Sequence, residues 1–262
     1  MELQDADGAM RGAPFVQSLE RGLAVIRAFD GDHRQLTLSD VARRTGLPRA
    51  AARRFLHTLL ELGYVRTDGR LFSLRPRVLD LGYAYLSSTS LPEIAQPHLE
   101  DLVARVHESC SVSVLDGADI VYVARVSTKR LMRVAISVGT RFPAYATSMG
   151  RVLLAARPPA ERAAYLSTAR LEPLTGSTVT DPARLADLLV EVADQGFALL
   201  DQELEEGLRS IAVPVRDATG EVVAAMNVSA SARRTPEAIR ADLLPPLRQA
   251  AREIESDLRR PA

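Results

Sequence analysis

The chain has 262 residues, 33 basic and 33 acidic, with 47% apolar and 25% charged positions, the composition of a soluble globular protein long enough for two ordinary domains. No run of about 18 apolar residues predicts a membrane span, and a single cysteine, Cys110, excludes an internal disulfide framework. Charge is uneven along the chain: residues 14–75 hold eleven arginines against six acids. A basic front and an acidic remainder predict two units with different partners.

The opening "MELQDADGAMRGAP" starts with acids and lacks an apolar core, so residues 1–13 read as a disordered tail of a cytoplasmic protein, not a signal peptide. Ser18 begins a helical pattern at Leu19, Leu23, Ile26 and Phe29, which "DGDH" breaks. In "LTLSDVARRTGLP", Thr37 and Asp40 have capping-box spacing, and Gly46 suits the left-handed end of a short helix. Pro48 fits the first turn of a further helix running to about Leu62. In "YVRTDGRLFSLRP", two β-like runs flank the turn at Asp68-Gly69. Three helices and a hairpin predict a winged helix-turn-helix over residues 14–76.

On the third of these helices Ala52, Phe55, Leu56 and Leu59 make the core face. Arg49, Arg53 and His57 recur at every fourth position on another face, with Ala50 beside them and Arg54 at the flank. Small alanines let a helix approach the floor of a major groove, where arginine can donate two bonds to guanine. Arg54, Arg44 and the wing residues Arg66 and Arg70 are suited to phosphates, which set register but not sequence. A solvated face, or a winged helix that binds only protein, is the alternative. The basic surplus, and an exposed face without acids, favour double-stranded DNA.

Residues 77–90, "RVLDLGYAYLSS" and its continuation, read as a connector helix whose apolar face could pair with a partner chain. Residues 91–262 read as α+β. β-rich runs at "CSVSVLDG", "DIVYVARVS" and "LMRVAISVG" precede a hairpin about Gly220, with helices on one side and a last helix broken at Pro245-Pro246. "ATSMG", residues 146–150, differs from a nucleophile elbow by Ala146. All four histidines, His33, His57, His98 and His107, precede Ser148, against the usual elbow order. The same strand-to-helix junction suits a carboxylate on the amides near Ser148, Met149 and Gly150. His107 and Cys110 are read as packing, not as a thiol pair. Four scattered histidines predict no metal site, and no cofactor is expected.

The segments "FVQSLERGLAVIRAFD", "LTLSDVARRTGLPRAAARRFLHTLLELGYV", "GTRFPAYATSMGRVLLA" and "EEGLRSIAVPVRDATGEVVAAMNVS" together resemble the IclR family of bacterial transcriptional regulators over roughly residues 14–257. The first and third look most like its aromatic-acid branch, the PcaR/PobR/PcaU type. The resemblance implies a winged helix-turn-helix, a linker helix, and a GAF-like effector domain with a curved antiparallel sheet. It also implies a homodimer or tetramer on repeated operator half-sites and a small organic acid as effector; with the histidines all ahead of Ser148, no enzymatic activity is expected. Carried over by motif, the effector contacts are Ser148, Met149, Ser210, Asn227 and Ser229, with Tyr145 and Met149 as an apolar wall. Leu200 stands where one small-acid-sensing relative has an acid, which implies a more apolar pocket. Arg125, Arg130 and Arg141 are candidate carboxylate partners, Arg130 being the one chosen. The expected function is an effector-responsive regulator of an aromatic-acid operon of the protocatechuate, 4-hydroxybenzoate or β-ketoadipate type. The alternatives are a family member sensing another organic or sugar acid, and a hydrolase using Ser148.

Overall fold

The structure is a computed structural model that describes residues 15–86, 91–128 and 136–259. The tail, the end of the connector beyond residue 86 and Arg130 lie outside the described residues. The chain divides into two compact units, Met1–Ser87 and Ser88–Ala262.

The first unit runs α1 (Gln17–Arg27), β1 (Leu36–Thr37), α2 (Leu38–Thr45), α3 (Arg49–Glu61), β2 (Val65–Thr67), β3 (Leu71–Leu74), a 3-10 turn at Pro76–Val78, and α4 (Leu79–Leu86). Local chemistry sets its boundaries. The Asp40 amide donates to Thr37 Oγ1 at 3.2 Å while the Thr37 amide donates to Asp40 Oδ2 at 3.1 Å, closing the capping box that starts α2. Gly46, at φ +66°, ends α2. Pro48 is the cap residue before α3, one position earlier than expected, because its extended backbone leads into the helix without belonging to it. Val25, Val41, Ala52 and Leu56 are fully buried where the three helices meet, and Phe29, Leu36, Leu59 and Val65 complete this core. Each large side chain so buried contributes about 1.5–3 kcal/mol. The expected hairpin is joined by β1 into an antiparallel sheet of order β1-β3-β2, with Leu36 opposite Phe72.

The second unit begins with α5 (Leu91–Val106), β4 (Ser109–Asp116), β5 (Asp119–Val126) and β6 (Arg141–Pro143). After a 3-10 turn at Ala144–Ala146 come α6 (Ser148–Ala155), α7 (Pro159–Thr168) and α8 (Pro182–Gln195). β7 (Ala198–Asp201), β8 (Leu208–Arg216), β9 (Val222–Ser231), α9 (Pro236–Asp242) and α10 (Leu244–Leu258) close the chain. The six strands form one antiparallel sheet, β6-β5-β4-β9-β8-β7. Helices cover both of its faces, not one. Leu99 and Leu102 of α5, with Leu247 and Ile254 of α10, pack on Val112, Ile211, Met226 and Val228. Met149 and Leu154 of α6, with Leu185 and Leu189 of α8, pack on Ile120, Ala198, Ala212 and Ala225. The reason is legible in β9: every residue from Ala224 to Ala230 is buried, so neither face of that strand meets water. The terminal helix breaks at Leu243, before Pro245-Pro246, because the two prolines fit the first turn of α10.

Candidate nucleic-acid interface and buried polar cavity

In α3, burial of Ala52, Leu56 and Leu59 turns Arg49, Ala50, Arg53, Arg54 and His57 outward, and all five are exposed. No carboxylate pairs with any of the three arginines among the described residues. A positive helix face without counter-charge results, suited to a polyanion. At the tip of the wing, Asp68 Oδ1 accepts from the amides of Arg70 and Leu71, and these bonds hold its carboxyl below the usual range. The Arg70 side chain is exposed, while Arg66 Nε donates to Ser73 Oγ at 3.0 Å. Arg44 differs from the others: its Nη2 sits 2.7 Å from Asp30 Oδ2, so its charge is already met within the unit.

In the second unit, strand register assembles a polar floor. Ser210 of β8 stands opposite Ser229 of β9, and Asn227 of β9 stands opposite Ser111 of β4. Their neighbours Ile211, Met226 and Val228 pack toward α5 and α10, so alternation turns the polar residues toward α6. There Ser148, Ser210, Asn227 and Ser229 line a cavity with Gln202 and Glu203; Tyr122, Leu200, Leu204 and Leu208 supply its apolar walls. Its free volume is about 20 Å³, room for one water. Two buried atoms here have no hydrogen-bond partner among the described residues, Ser148 Oγ and Asn227 Oδ1. The Asn227 amide nitrogen is spent on Ser229 Oγ at 3.2 Å.

Ser148 begins α6, and the cap residue Thr147 takes the Gly150 amide at 3.0 Å. That bond removes Gly150 from the three amides expected to be free, leaving those of Ser148 and Met149. Gly150 has a different task. A Cβ there would lie 2.1 Å from the Ala144 carbonyl oxygen, so glycine alone lets the 3-10 turn pack against α6. Beneath the cavity Arg151 Nη2 and Glu203 Oε2 are 2.5 Å apart, both nearly fully buried. Burial lowers the Arg151 pKa, and the carboxylate opposes that shift.

Two expected contacts are not cavity-lining. Met149 turns to the sheet, where its sulfur accepts from Ser113 Oγ at 3.3 Å. The Tyr145 hydroxyl donates to the Glu172 carbonyl at 2.8 Å and accepts from the Glu172 amide at 2.9 Å. Conversely Tyr122, Gln202, Glu203, Leu204 and Leu208 line the cavity without having been singled out. Tyr122, apolar-flanked in a β-rich run, carries a sequence signal; Glu203, inside the acidic "DQELEEG", carries none, because its partner Arg151 is distant in sequence. His107 is exposed at φ +57°, whereas the Cys110 thiol is buried and burial pushes it up to about 12, which leaves it inert at neutral pH. No group of three metal-ligating side chains occurs among the described residues, and no described helix is long and apolar enough to cross a membrane.

A bare arginine helix beside a wing, joined to a second unit whose sheet and helix start enclose a polar cavity, defines a two-domain regulator of the helix-turn-helix class. Residues 18–69 match the IclR helix-turn-helix domain, and residues 83–256 match the C-terminal domain of the bacterial transcriptional regulator IclR. The chain belongs to the IclR family of bacterial transcriptional regulators. The Pca regulon regulatory protein of Pseudomonas putida is 49% identical over 94% of this chain and 86% of its own length. A candidate transcriptional regulator crystallised from Rhodococcus sp. RHA1 is 59% identical, with a TM-score of 0.83 over 93% of this chain and 98% of its own. An IclR homolog from Microbacterium hydrocarbonoxydans, crystallised with 4-hydroxybenzoate, is 30% identical, with a TM-score of 0.81 over 92% of this chain and 98% of its own.

Proposed function

We propose that the protein is a cytoplasmic, effector-responsive regulator of an aromatic-acid catabolic operon. Residues 14–76 bind operator DNA, residues 77–90 link, and residues 91–262 sense the acid; the working unit is a homodimer or tetramer. Arg49, Arg53 and His57 read base edges with Ala50 at the groove floor, while Arg54, Arg66 and Arg70 take phosphates. Arg44 takes a phosphate only by exchanging Asp30 for it. Ser148, Ser210, Asn227 and Ser229 hold the effector once the cavity between them, with room for one water, widens to admit it.

The observation that carries this reading is the pair of orphaned buried atoms, Ser148 Oγ and Asn227 Oδ1. Leaving such atoms unbonded costs about 1–3 kcal/mol each, a cost that a hydroxylated acid would relieve. The similarity to a Pca regulon regulator and to a homolog bound to 4-hydroxybenzoate supports an aromatic acid. None of the four histidines lines the cavity, which supports binding by Ser148 over hydrolysis. The mechanism is linkage: the acid shifts operator affinity by the difference in its own affinity for the two states of the regulator.

The test is fluorescence anisotropy of the protein on DNA from upstream of its own gene, at two salt concentrations. Protocatechuate, 4-hydroxybenzoate, β-ketoadipate and muconate are added in turn. Tight, salt-sensitive binding changed by one of these acids is expected. Binding that ignores all four would remove the aromatic-acid pathway.

A further inference from the structure

An aromatic-acid effector carries a carboxylate, and among the described residues the cavity walls offer it no free cation. Glu203, the charged wall residue, is engaged by Arg151. Elsewhere in the second unit Arg141 is held by Asp116 at 2.5 Å and Asp119 at 3.2 Å, Arg209 by Asp201 at 2.7 Å, and Arg234 by Asp242 at 2.7 Å.

Arg125 of β5 is not held in this way. It is half-buried, no carboxylate lies within ion-pairing distance among the described residues, and its Nη1 donates to Ser111 Oγ at 3.0 Å. Burial lowers its pKa, the cost of taking a cation partly out of water. Register fixes where it stands. Arg125 is opposite Ser111, and Ser111 is opposite Asn227. The neighbours Ala124 and Val126 pack toward α5, so Arg125 shares the α6 side of the sheet with the polar floor. One continuous row, Arg125–Ser111–Asn227, therefore runs outward from the cavity. Its strands are about 4.8 Å apart, so the guanidinium and the orphaned Asn227 Oδ1 are separated by about one to two strand spacings, the scale of a single substituted ring.

Resting on the aromatic-acid reading, we propose that Arg125, steadied by Ser111, receives the effector carboxylate while a ring hydroxyl donates to Asn227 Oδ1. A planar guanidinium can grip a carboxylate with two parallel bonds, and the partial burial keeps water from competing. Orientation follows from the same row. A neutral analogue keeps the hydroxyl contact and loses the charged one.

The experiment is calorimetric titration of the full chain with 4-hydroxybenzoate and protocatechuate, and with the carboxamide of each. In Arg125→Gln the affinity for the acid should fall about 30-fold or more, and that for the carboxamide less than about threefold, because the amide never engaged the charge. Arg125→Lys should fall between the two. Equal losses for acid and carboxamide, or an acid affinity unchanged in Arg125→Gln, overturn the assignment. Should Arg125→Gln lose its folded circular-dichroism spectrum, Ser111→Ala carries the test: it keeps the cation and should weaken the acid alone by about three- to tenfold. No change there overturns the assignment too. A wild-type chain that binds neither acid removes the aromatic-acid reading itself, and this inference with it.

Discussion

Single residues divide into those that hold the second unit together and those that leave something unmet. Asn227 is of the second kind, and replacing it and its partner Ser229 with alanine removes two of the floor's hydrogen-bonding side chains without opening the apolar core. Asn227→Ala with Ser229→Ala should abolish the change in anisotropy on adding acid while leaving operator binding in its absence intact. Gly150 is of the first kind. In Gly150→Ala the new methyl group meets backbone, which cannot rotate away, so a loss of about 1–3 kcal/mol or more is expected as a lower melting temperature. The glycine that makes "ATSMG" look like a nucleophile elbow thus serves a close approach of main chains. Cys110 and Tyr122 set a pH limit. Burial raises both to about 12, from 9.0 and 10.0, so between pH 9 and 12 the folded chain holds more protons than the unfolded one. Stability is then fully present below pH 9 and falls as pH rises. Urea titrations at pH 8 and pH 10.5 should show the drop, and Cys110→Ala should make it shallower.

At the scale of elements, α2 and α3 are where sequence and structure agree most closely, because their signals are local. The capping box, the left-handed glycine and the four-residue spacing of arginines each act within a turn or two. Thr37→Ala should cost about 1 kcal/mol in denaturant titrations by freeing the first amides of α2. Two substitutions test the proposed division between base reading and phosphate contact. Arg53→Ala should cost about 1–3 kcal/mol on the preferred operator and relax preference at one base pair. Arg70→Ala should weaken all sequences alike and lower the salt slope by about one. A selection from randomised half-sites, repeated at two salt concentrations, distinguishes the two. β1 escaped notice because a strand of two residues has no period to detect; it exists only because β3 lies beside it. The prolines of α10 look like a break in the sequence for a similar reason: their effect depends on where the preceding helix has already stopped.

For the whole molecule, the two units and their families of partners were legible from charge asymmetry and motif, but the cavity was only partly so. Ser148, Ser210, Asn227 and Ser229 came from motif and strand alternation. Tyr122, Glu203 and Leu208 meet them only through the pairing of β5, β7 and β8, a register that no local pattern encodes. Arg151 and Glu203 are 52 positions apart, and each alone looks like a surface charge. Linkage gives a test that needs no substitution: if an acid changes operator affinity by some factor, saturating operator must change acid affinity by the same factor. Unequal factors, measured by calorimetry with and without DNA, would mean that the two events are not coupled in one equilibrium. The sheet has one further consequence. Among the described residues its margins are β6, three residues ending on a proline that has no amide proton, and β7, four residues long. A foreign strand laid on either margin would gain only about two or three ladder bonds, too few to offset its own ordering. At these two margins copies of this chain are denied the edge-to-edge growth that seeds fibrils.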